Sequence, residues 1–216
     1  MLHGFLNIDK PAGPTSHDVV ARVRRIARQK RVGHAGTLDP AATGVLVVGL
    51  GQATRLIEYV QDATSKRYHS VVFLGATTTT DDAEGEIIAR APLPALDSQA
   101  IEAALAAFRG TILQVPPMFS ALHHEGRRLH ELARAGQIVE RAARPVTIEQ
   151  LHLLDWSPPL LTLDVVCGKG TYIRSLARDV GEALGCGGYL QALRRTAVGT
   201  FTVADAVSLE TLEALP

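Results

Sequence analysis

The chain has 216 residues, a formal net charge of +0, 46% hydrophobic residues and 20% charged ones. That composition excludes a disordered polar chain. No apolar run reaches the roughly 18 residues needed to cross a bilayer, and two cysteines, Cys167 and Cys186, exclude a disulfide scaffold. The start, Met1-Leu-His-Gly-Phe5, lacks the basic and apolar regions of a signal peptide, so a cytoplasmic protein is expected.

Phe5-Leu-Asn-Ile8 reads as a short strand stopped by Lys10-Pro-Ala-Gly-Pro14. Thr15 with Asp18 is a capping-box pattern. It opens an amphipathic helix with Val19, Val20, Val23 and Ile26 on one face. Val32-Gly-His-Ala-Gly-Thr-Leu-Asp-Pro-Ala-Ala-Thr-Gly44 reads as a loop with three glycines, followed by a buried strand over Val45–Leu50. A helix is expected from Thr54 to Gln61, and Tyr68 to Leu74 alternates like a half-buried strand. Thr77 to Gly85 is a polar turn. Ser98 caps a helix from Gln99 to Arg109, and another helix spans Arg128 to Ala135. Strands over Val146–Leu154 and Leu160–Cys167 follow. Gly168-Lys-Gly-Thr171 leads into a helix, Gly185 to Gly188 separates it from a short helix ending at Arg195, and Thr196 to Val203 is a last strand. Strands and helices do not alternate regularly, which predicts an α+β fold with a mixed, largely antiparallel central sheet flanked by helices and loops.

The zero net charge conceals a segregated pattern. No acid falls between Asp18 and Asp39, whereas Arg22, Arg24, Arg25, Arg28, Lys30 and Arg31 do. Lys169, Arg174, Arg178, Arg194 and Arg195 form a second basic group, and Asp81, Asp82, Glu84 and Glu86 an acidic one. A single charge run reads most simply as a solvated helix face. Several of them flanking Gly-rich loops point toward nucleic acid, because phosphate binding follows local potential.

Asp39 fits two readings. Asp followed by Pro is a common helix N-cap. The stretch Ala41–Gly44 is short for a helix, however, and a constrained loop beside a strand is also where a reactive carboxylate is held. His34, between two glycines, is either an exposed loop histidine or a ring that stacks into nucleic acid. No second His or Cys stands at metal-ligand spacing near it, and the adjacent pair His123–His124 points apart. Lys169-Gly-Thr-Tyr-Ile-Arg174 resembles a phosphate-cradling loop at a helix N-terminus. Walker A, dinucleotide and nucleophile-elbow patterns are missing. Cys167 and Cys186 read as small core residues.

These motifs resemble one family, the bacterial TruB-type tRNA pseudouridine-55 synthases, from Gly4 to about Leu212. The most specific stretch is Gly33-His-Ala-Gly-Thr-Leu-Asp-Pro-Ala-Ala-Thr-Gly44. Leu6-Asn-Ile-Asp-Lys-Pro-Ala-Gly13, Lys66-Arg-Tyr68, Pro116-Pro-Met-Phe-Ser-Ala121, Lys169-Gly-Thr-Tyr-Ile-Arg174 and Leu184-Gly-Cys-Gly187 with Leu193-Arg-Arg195 accompany it in order. Thr79 stands where the family often has an acid, Phe119 and His130 where tyrosine is common, and Gly168 where serine is common. Many relatives continue into a small C-terminal RNA-binding domain. Because the chain stops at Pro216, a single catalytic domain over 1–216 without that module, and weaker tRNA binding, are expected.

The resemblance implies the pseudouridine synthase fold and an isomerase that flips out the T-loop uridine of tRNA, breaks its glycosidic bond and rejoins the base through carbon. Asp39 is implied as the essential carboxylate, Arg174 as its charge partner, and Tyr68 as a ring stacked on the uracil. Leu193 lines the apolar side of the pocket, and His34 fills the space the base vacates. Lys10, Tyr172, Lys169, Asp82 and Arg195 join the substrate-binding set, with Lys10, the Arg22–Arg31 face and Arg195 as RNA-backbone contacts. The reaction needs no metal, nucleotide or flavin, so no cofactor is expected. The expected partner is the T-arm of tRNA, with no membrane and no obligatory protein partner, the chain acting as a monomer. Two rival readings are a non-catalytic tRNA-binding or tRNA-folding factor and a guide-RNA-dependent synthase like dyskerin.

Overall fold

The computed structural model describes residues 1–120, 122–124 and 126–214. In chain order the elements are β1 (Gly4–Lys10), α1 (Ser16–Ile26), β2 (Val32–Ala35), β3 (Thr43–Leu50), α2 (Ile57–Ala63), β4 (Lys66–Leu74), β5 (Ala76–Thr78), β6 (Ile87–Arg90), α3 (Ser98–Ala106) and β7 (Gly110–Gln114). Then come β8 (His123–His124), β9 (Arg127–Arg128), α4 (Leu129–Arg134), β10 (Arg144–Ser157), β11 (Leu160–Cys167), α5 (Ile173–Ala183), β12 (Gly188–Val198), β13 (Phe201–Thr202) and α6 (Leu209–Glu213). The fold mixes α and β with a largely antiparallel sheet, as the irregular order of elements predicted. Ala121, which ends the Pro116–Ala121 motif, and Pro216 lie outside the described residues, as do the side chains of His124 and His130.

The chain forms two compact units. The first comprises Met1–His69, Val166–Lys169 and the segment from Leu193 onward; the second comprises Ser70–Val165 and Gly170–Ala192. In the first, β3 runs antiparallel to β1 along one edge, with Gly4 opposite Leu50 and Lys10 opposite Gly44. The other edge of β3 is shared. Its first residues pair in parallel with β12, Arg194 opposite Thr43 and Arg195 opposite Gly44. Its last residues pair with β2, Ala35 opposite Val47 and Val32 opposite Leu50.

β3 is buried on both faces, which explains why it reads as a continuous apolar run. Leu46, Val48 and Leu50 enter a core with Val19, Val20 and Val23 of α1 and Leu209 and Leu212 of α6. The alternate residues Val45 and Val47 enter a second core with Ala35 and Val198. The capping box that starts α1 is complete: Thr15 Oγ1 accepts from the Asp18 amide at 3.1 Å, and Asp18 Oδ2 accepts from the Thr15 amide at 2.9 Å.

In the second unit the strands run β4-β11-β10-β7, and Ile101, Leu105, Ile148, Leu151, Leu161, Leu163 and Leu176 are buried. α5 packs so closely on the chain after it that a Cβ on Gly181 would collide with the backbone of Gly187 and Gly188.

Four sequence expectations are corrected. Val32–Ala35 is strand β2 rather than loop, because the free edge at the end of β3 takes it up. The chain after Leu50 begins as a 3-10 turn, Gly51–Leu56, before α2. α3 is capped by Asp97, whose side chain accepts from the Ala100 amide at 2.7 Å, and not by Ser98. The expected short helix ending at Arg195 is strand β12. Leu190, Gln191, Ala192, Leu193 and Arg194 are good helix formers, but pairing with β3 overrides that local preference.

Candidate active site

Asp39 lies in the connection between β2 and β3. Its carbonyl accepts from the Ala42 amide at 3.1 Å, so Asp39-Pro40-Ala41-Ala42 closes one turn and no helix follows. The helix-cap reading therefore falls away. This connection has no secondary structure of its own; the Gly13 amide donates to the Pro40 carbonyl at 2.9 Å, and three side chains of β1, α1 and β12 add further bonds.

Ser16, at the start of α1, donates from Oγ to the Leu38 carbonyl at 3.0 Å and accepts from the Leu38 amide at 2.9 Å. Lys10, fully buried at 0% exposure, donates from Nζ to the carbonyls of Pro11 at 2.9 Å, Pro40 at 3.0 Å and Ala42 at 2.8 Å. Arg195, 1% exposed, donates from Nε to the Val45 carbonyl at 2.7 Å, from Nη2 to Gly36 at 3.1 Å and from Nη1 to Thr37 at 3.4 Å. The Val45 carbonyl sits where β3 changes partner, after Gly44 pairs with β12 and before Val47 pairs with β2. The guanidinium fills that gap in the ladder. Backbone groups of residues 36, 37, 38, 40 and 42 are thus held on both sides of Asp39, which fixes the direction of its side chain.

Tyr68 points inward from β4, 7% exposed. Burial pushes its phenol up, Arg195 pulls it down by charge and by a hydrogen bond, and Asp39 is near enough to push it up again. Lys66, two residues earlier on the same face, donates to the Gln61 carbonyl at 3.1 Å; burial and then Arg195 lower its pKa. A Cβ on Gly36 would lie 3.6 Å from Lys66 Cε and 3.7 Å from Arg195 Nη1, so both cations border the loop. His34 is half-buried on β2, its ring edge-on to that of His17 with centroids 5.3 Å apart. Its Nδ1 is buried and has no hydrogen-bond partner among the described residues. Burial, then His17 and Arg195, lower its pKa. Leu193 lies on β12, half-buried, its carbonyl 3.5 Å from Thr43 Oγ1.

Arg174, Asp82 and Tyr172 belong to the second unit. Arg174 is a buried cation on the first turn of α5; it donates to the carbonyls of Phe119 at 2.8 Å and Thr80 at 3.2 Å, and its Nη1 is 3.5 Å from Asp82 Oδ2. Asp82 is held in turn by Thr80 Oγ1 at 2.5 Å and the Glu84 amide at 3.1 Å. Tyr172 precedes α5 with its amide donating to Gln114 Oε1 at 2.9 Å and its carbonyl accepting from Gln114 Nε2 at 3.1 Å. Lys169 is exposed and paired with exposed Asp62 at 2.8 Å, a contact of little energy.

Sequence reasoning placed Lys10 and Arg195 among RNA-backbone contacts; both are buried against the Asp39 loop, where phosphate does not reach them as they stand. It missed Ser16, whose only signal was a small polar residue beside the Thr15 cap, and Lys66, which stood unremarked inside the Lys66-Arg-Tyr68 motif. It also missed Gln114. Among the described residues no group of three or more His, Cys, Asp or Glu side chains is placed to hold a metal ion, and no helix is long and apolar enough to cross a membrane.

Residues 24–173 match the family model for the N-terminal domain of the TruB family pseudouridylate synthases, and residues 174–215 match the model for the tRNA pseudouridylate synthase B C-terminal domain. The tRNA pseudouridine synthase B of Synechococcus sp. (strain WH7803) is 55% identical over 208 residues, 95% of this chain and 69% of that protein. The enzyme of the same name from Thermobifida fusca is 53% identical over 222 residues, 99% of this chain and 75% of that one. Among solved structures, a Cbf5-Nop10-Gar1 complex matches with a TM-score of 0.75 and 31% identity, over 96% of this chain and 53% of that one. The chain thus spans about half the length of that protein and belongs to the TruB family of pseudouridylate synthases.

Proposed function

We propose that this protein is an isomerase that converts the uridine at position 55, in the T-loop of tRNA, to pseudouridine, with Asp39 as the essential carboxylate. The family and the relatives named tRNA pseudouridine synthase B support the reaction. The observation that carries the residue assignment is the loop of residues 36–42, gripped by Lys10, Ser16 and Arg195 on both sides of an Asp that neighbours a buried tyrosine.

In this reaction the bond from C1′ to N1 breaks, the uracil turns, and C1′ joins C5. C5 loses its proton and N1 gains one, so atoms and electrons balance within the base and solvent. Asp39 drives cleavage from its fixed position. Tyr68, its phenol pushed up by burial, is neutral near pH 7; stacking on the uracil and hydrogen-bond donation are the roles its resting state supports. Accepting the C5 proton relies on Arg195, whose charge favours the phenolate. Leu193 provides the apolar wall. Arg174 is held within the second unit by Asp82 and by the Phe119 and Thr80 carbonyls. His34, neutral and half-buried, occupies the space left by the extracted base. Lys169 and Tyr172 meet the RNA beside the T-loop, whereas Lys10 and Arg195 act by holding the catalytic loop.

The described residues work as one catalytic domain, since β4, β11 and β12 each contribute to both units. The enzyme acts in the cytoplasm as a monomer, with tRNA as its only obligatory partner.

The test is tritium release from tRNA labelled at uracil C5, using the isolated chain and unmodified tRNA. The wild type turns over, and Asp39→Asn binds tRNA with essentially no release. Equal release by both would remove Asp39 from the mechanism. Binding without turnover by the wild type would favour a folding factor, and turnover only with an added guide RNA would favour the dyskerin-like reading.

A further inference from the structure

The C-terminal half of α1 and the turn after it form an exposed basic surface. Ala21, Arg24, Arg25, Arg28, Gln29 and Lys30 line a shallow recess of about 710 Å³, and no acid lies between Asp18 and Asp39 in the sequence. Two carboxylates of α6 face this helix, Glu210 acting on Arg22 through charge and Glu213 through direct bonds. Glu213 takes Arg22 through two bonds, at 2.9 and 3.1 Å, and reaches Arg25 at 3.5 Å. Among the described residues neither Arg28 nor Lys30 has an ion-pair partner.

An independent observation concerns the backbone. α1 ends with the Gln29 amide bonded to the Arg24 carbonyl at 3.2 Å and the Arg28 amide to the Arg25 carbonyl at 3.3 Å. In that termination the residue at the position of Arg28 adopts the left-handed conformation and is usually glycine. Arg28 has φ +48°, so an arginine occupies a place whose backbone favours a residue without a side chain. Strain of this kind is a pointer to function. Here the retained feature is a charge directed to solvent at the rim of the recess.

We propose that this surface binds the sugar–phosphate backbone of the same tRNA that presents its uridine to Asp39; the inference rests on the functional reading above. The distances fit. Ser16 ties the first residue of α1 to the Asp39 loop. At about 1.5 Å per residue, Arg24 and Arg28 lie on the order of 12 and 18 Å further along the helix. That separation places the surface on the backbone several ångströms beyond the reacting nucleotide, where neighbouring phosphates lie. Contacts of this class fix register and carry no sequence information.

The experiment compares wild type, Arg28→Gly and the triple variant Arg24→Gln/Arg28→Gln/Lys30→Gln in tRNA binding at several salt concentrations, with turnover at saturating tRNA and Tm in parallel. Arg28→Gly should melt at or above the wild-type temperature, because glycine suits the left-handed position, yet bind tRNA about two- to fivefold more weakly. The triple variant should lose on the order of tenfold or more at low salt. The slope of log affinity against log salt should fall by about 2 to 3, and turnover at saturation should stay within twofold. An unchanged affinity and slope would overturn the proposal. So would a loss of affinity that tracks a fall in Tm, or a triple variant that keeps tRNA affinity but loses binding to anionic vesicles. If the wild type itself fails to modify tRNA, the functional reading fails first; if it succeeds and the variants bind as it does, only this inference fails.

Discussion

Replacing Arg195 by Met separates the two roles that sequence and structure give this residue. Its Nε bond to Val45 at 2.7 Å and Nη2 bond to Gly36 at 3.1 Å are well formed, while the Nη1 contact to Thr37 at 3.4 Å is marginal. Hydrogen bonds from a charged donor contribute about 1.5–3 kcal/mol each; the Val45 carbonyl left behind lies in a buried bond and the Gly36 carbonyl in a part-buried one. Two good bonds give about 3–6 kcal/mol. Part of this is returned because the variant no longer buries a cation, leaving a net loss of about 3 kcal/mol. For a chain of this size that corresponds to roughly 6–12 °C in Tm. Because the bonds hold the Asp39 loop, kcat should fall by more than tenfold at temperatures where the variant is still folded, with Arg195→Lys intermediate. The assays are thermal melting and tritium release under saturating tRNA, each at two salt concentrations. If Arg195→Met melts like the wild type, keeps kcat, and instead raises KM with a salt slope shallower by about 0.7–0.9, Arg195 is a phosphate contact and the clamp is refuted.

A methyl at Gly44 would collide with the backbone of Arg195, and Gly44 has φ +101°, so Gly44→Ala should cost about 2–4 kcal/mol and abolish turnover; wild-type melting would show that β12 can shift. Burial lowers the pKa of His34, so the neutral ring is the folded form. Its stabilisation is complete above the ordinary value of 6.5 and is lost as pH falls through the lower folded value. His34→Phe should therefore remove part of the acid dependence of Tm while impairing base extraction. Tyr68 has the opposite sign: its raised pKa means stability declines as pH rises above the ordinary 10.0, and Tyr68→Phe should flatten that decline. An unaltered alkaline limb would mean that Tyr68 is accessible to solvent.

What was legible in the sequence was what depends on neighbours along the chain. Thr15 and Asp18 announce the capping box, and the alternation of β4 announces an inward face carrying Lys66 and Tyr68. The motif around Asp39 was visible for the same reason. What was not legible depends on partners far away in sequence. β2 is a strand only because β3 offers it an edge, and β12 is one despite its helix-forming residues. Lys10 and Arg195 are RNA-backbone contacts on the family resemblance, yet both are buried. Nothing local says that Lys10 faces the Pro40 and Ala42 carbonyls or that Arg195 fills the gap between β12 and β2.

This dependence has a consequence for how the enzyme loses activity. The Asp39 connection has one hydrogen-bonded turn of its own, and its other restraints include the Gly13 amide on the Pro40 carbonyl, Ser16 at a span of 22 residues, Lys10 at 30 and 32, and Arg195 at up to 159. A segment ordered by few local and several distant bonds is ordered only while β1, α1 and β12 hold their places, so its local opening free energy lies below that of the β3 core. Mild destabilisation anywhere in the first unit therefore releases the carboxylate before the fold is lost. Lys10 and Arg195 limit that release in a particular way: their bonds go to carbonyls of the loop backbone, so each fixes the position of Asp39 through the peptide chain. Geometry and charge at the site are consequently separable. A variant that weakens the clamp should recover activity when the first unit is stabilised elsewhere, whereas Asp39→Asn should not recover under any stabilising background.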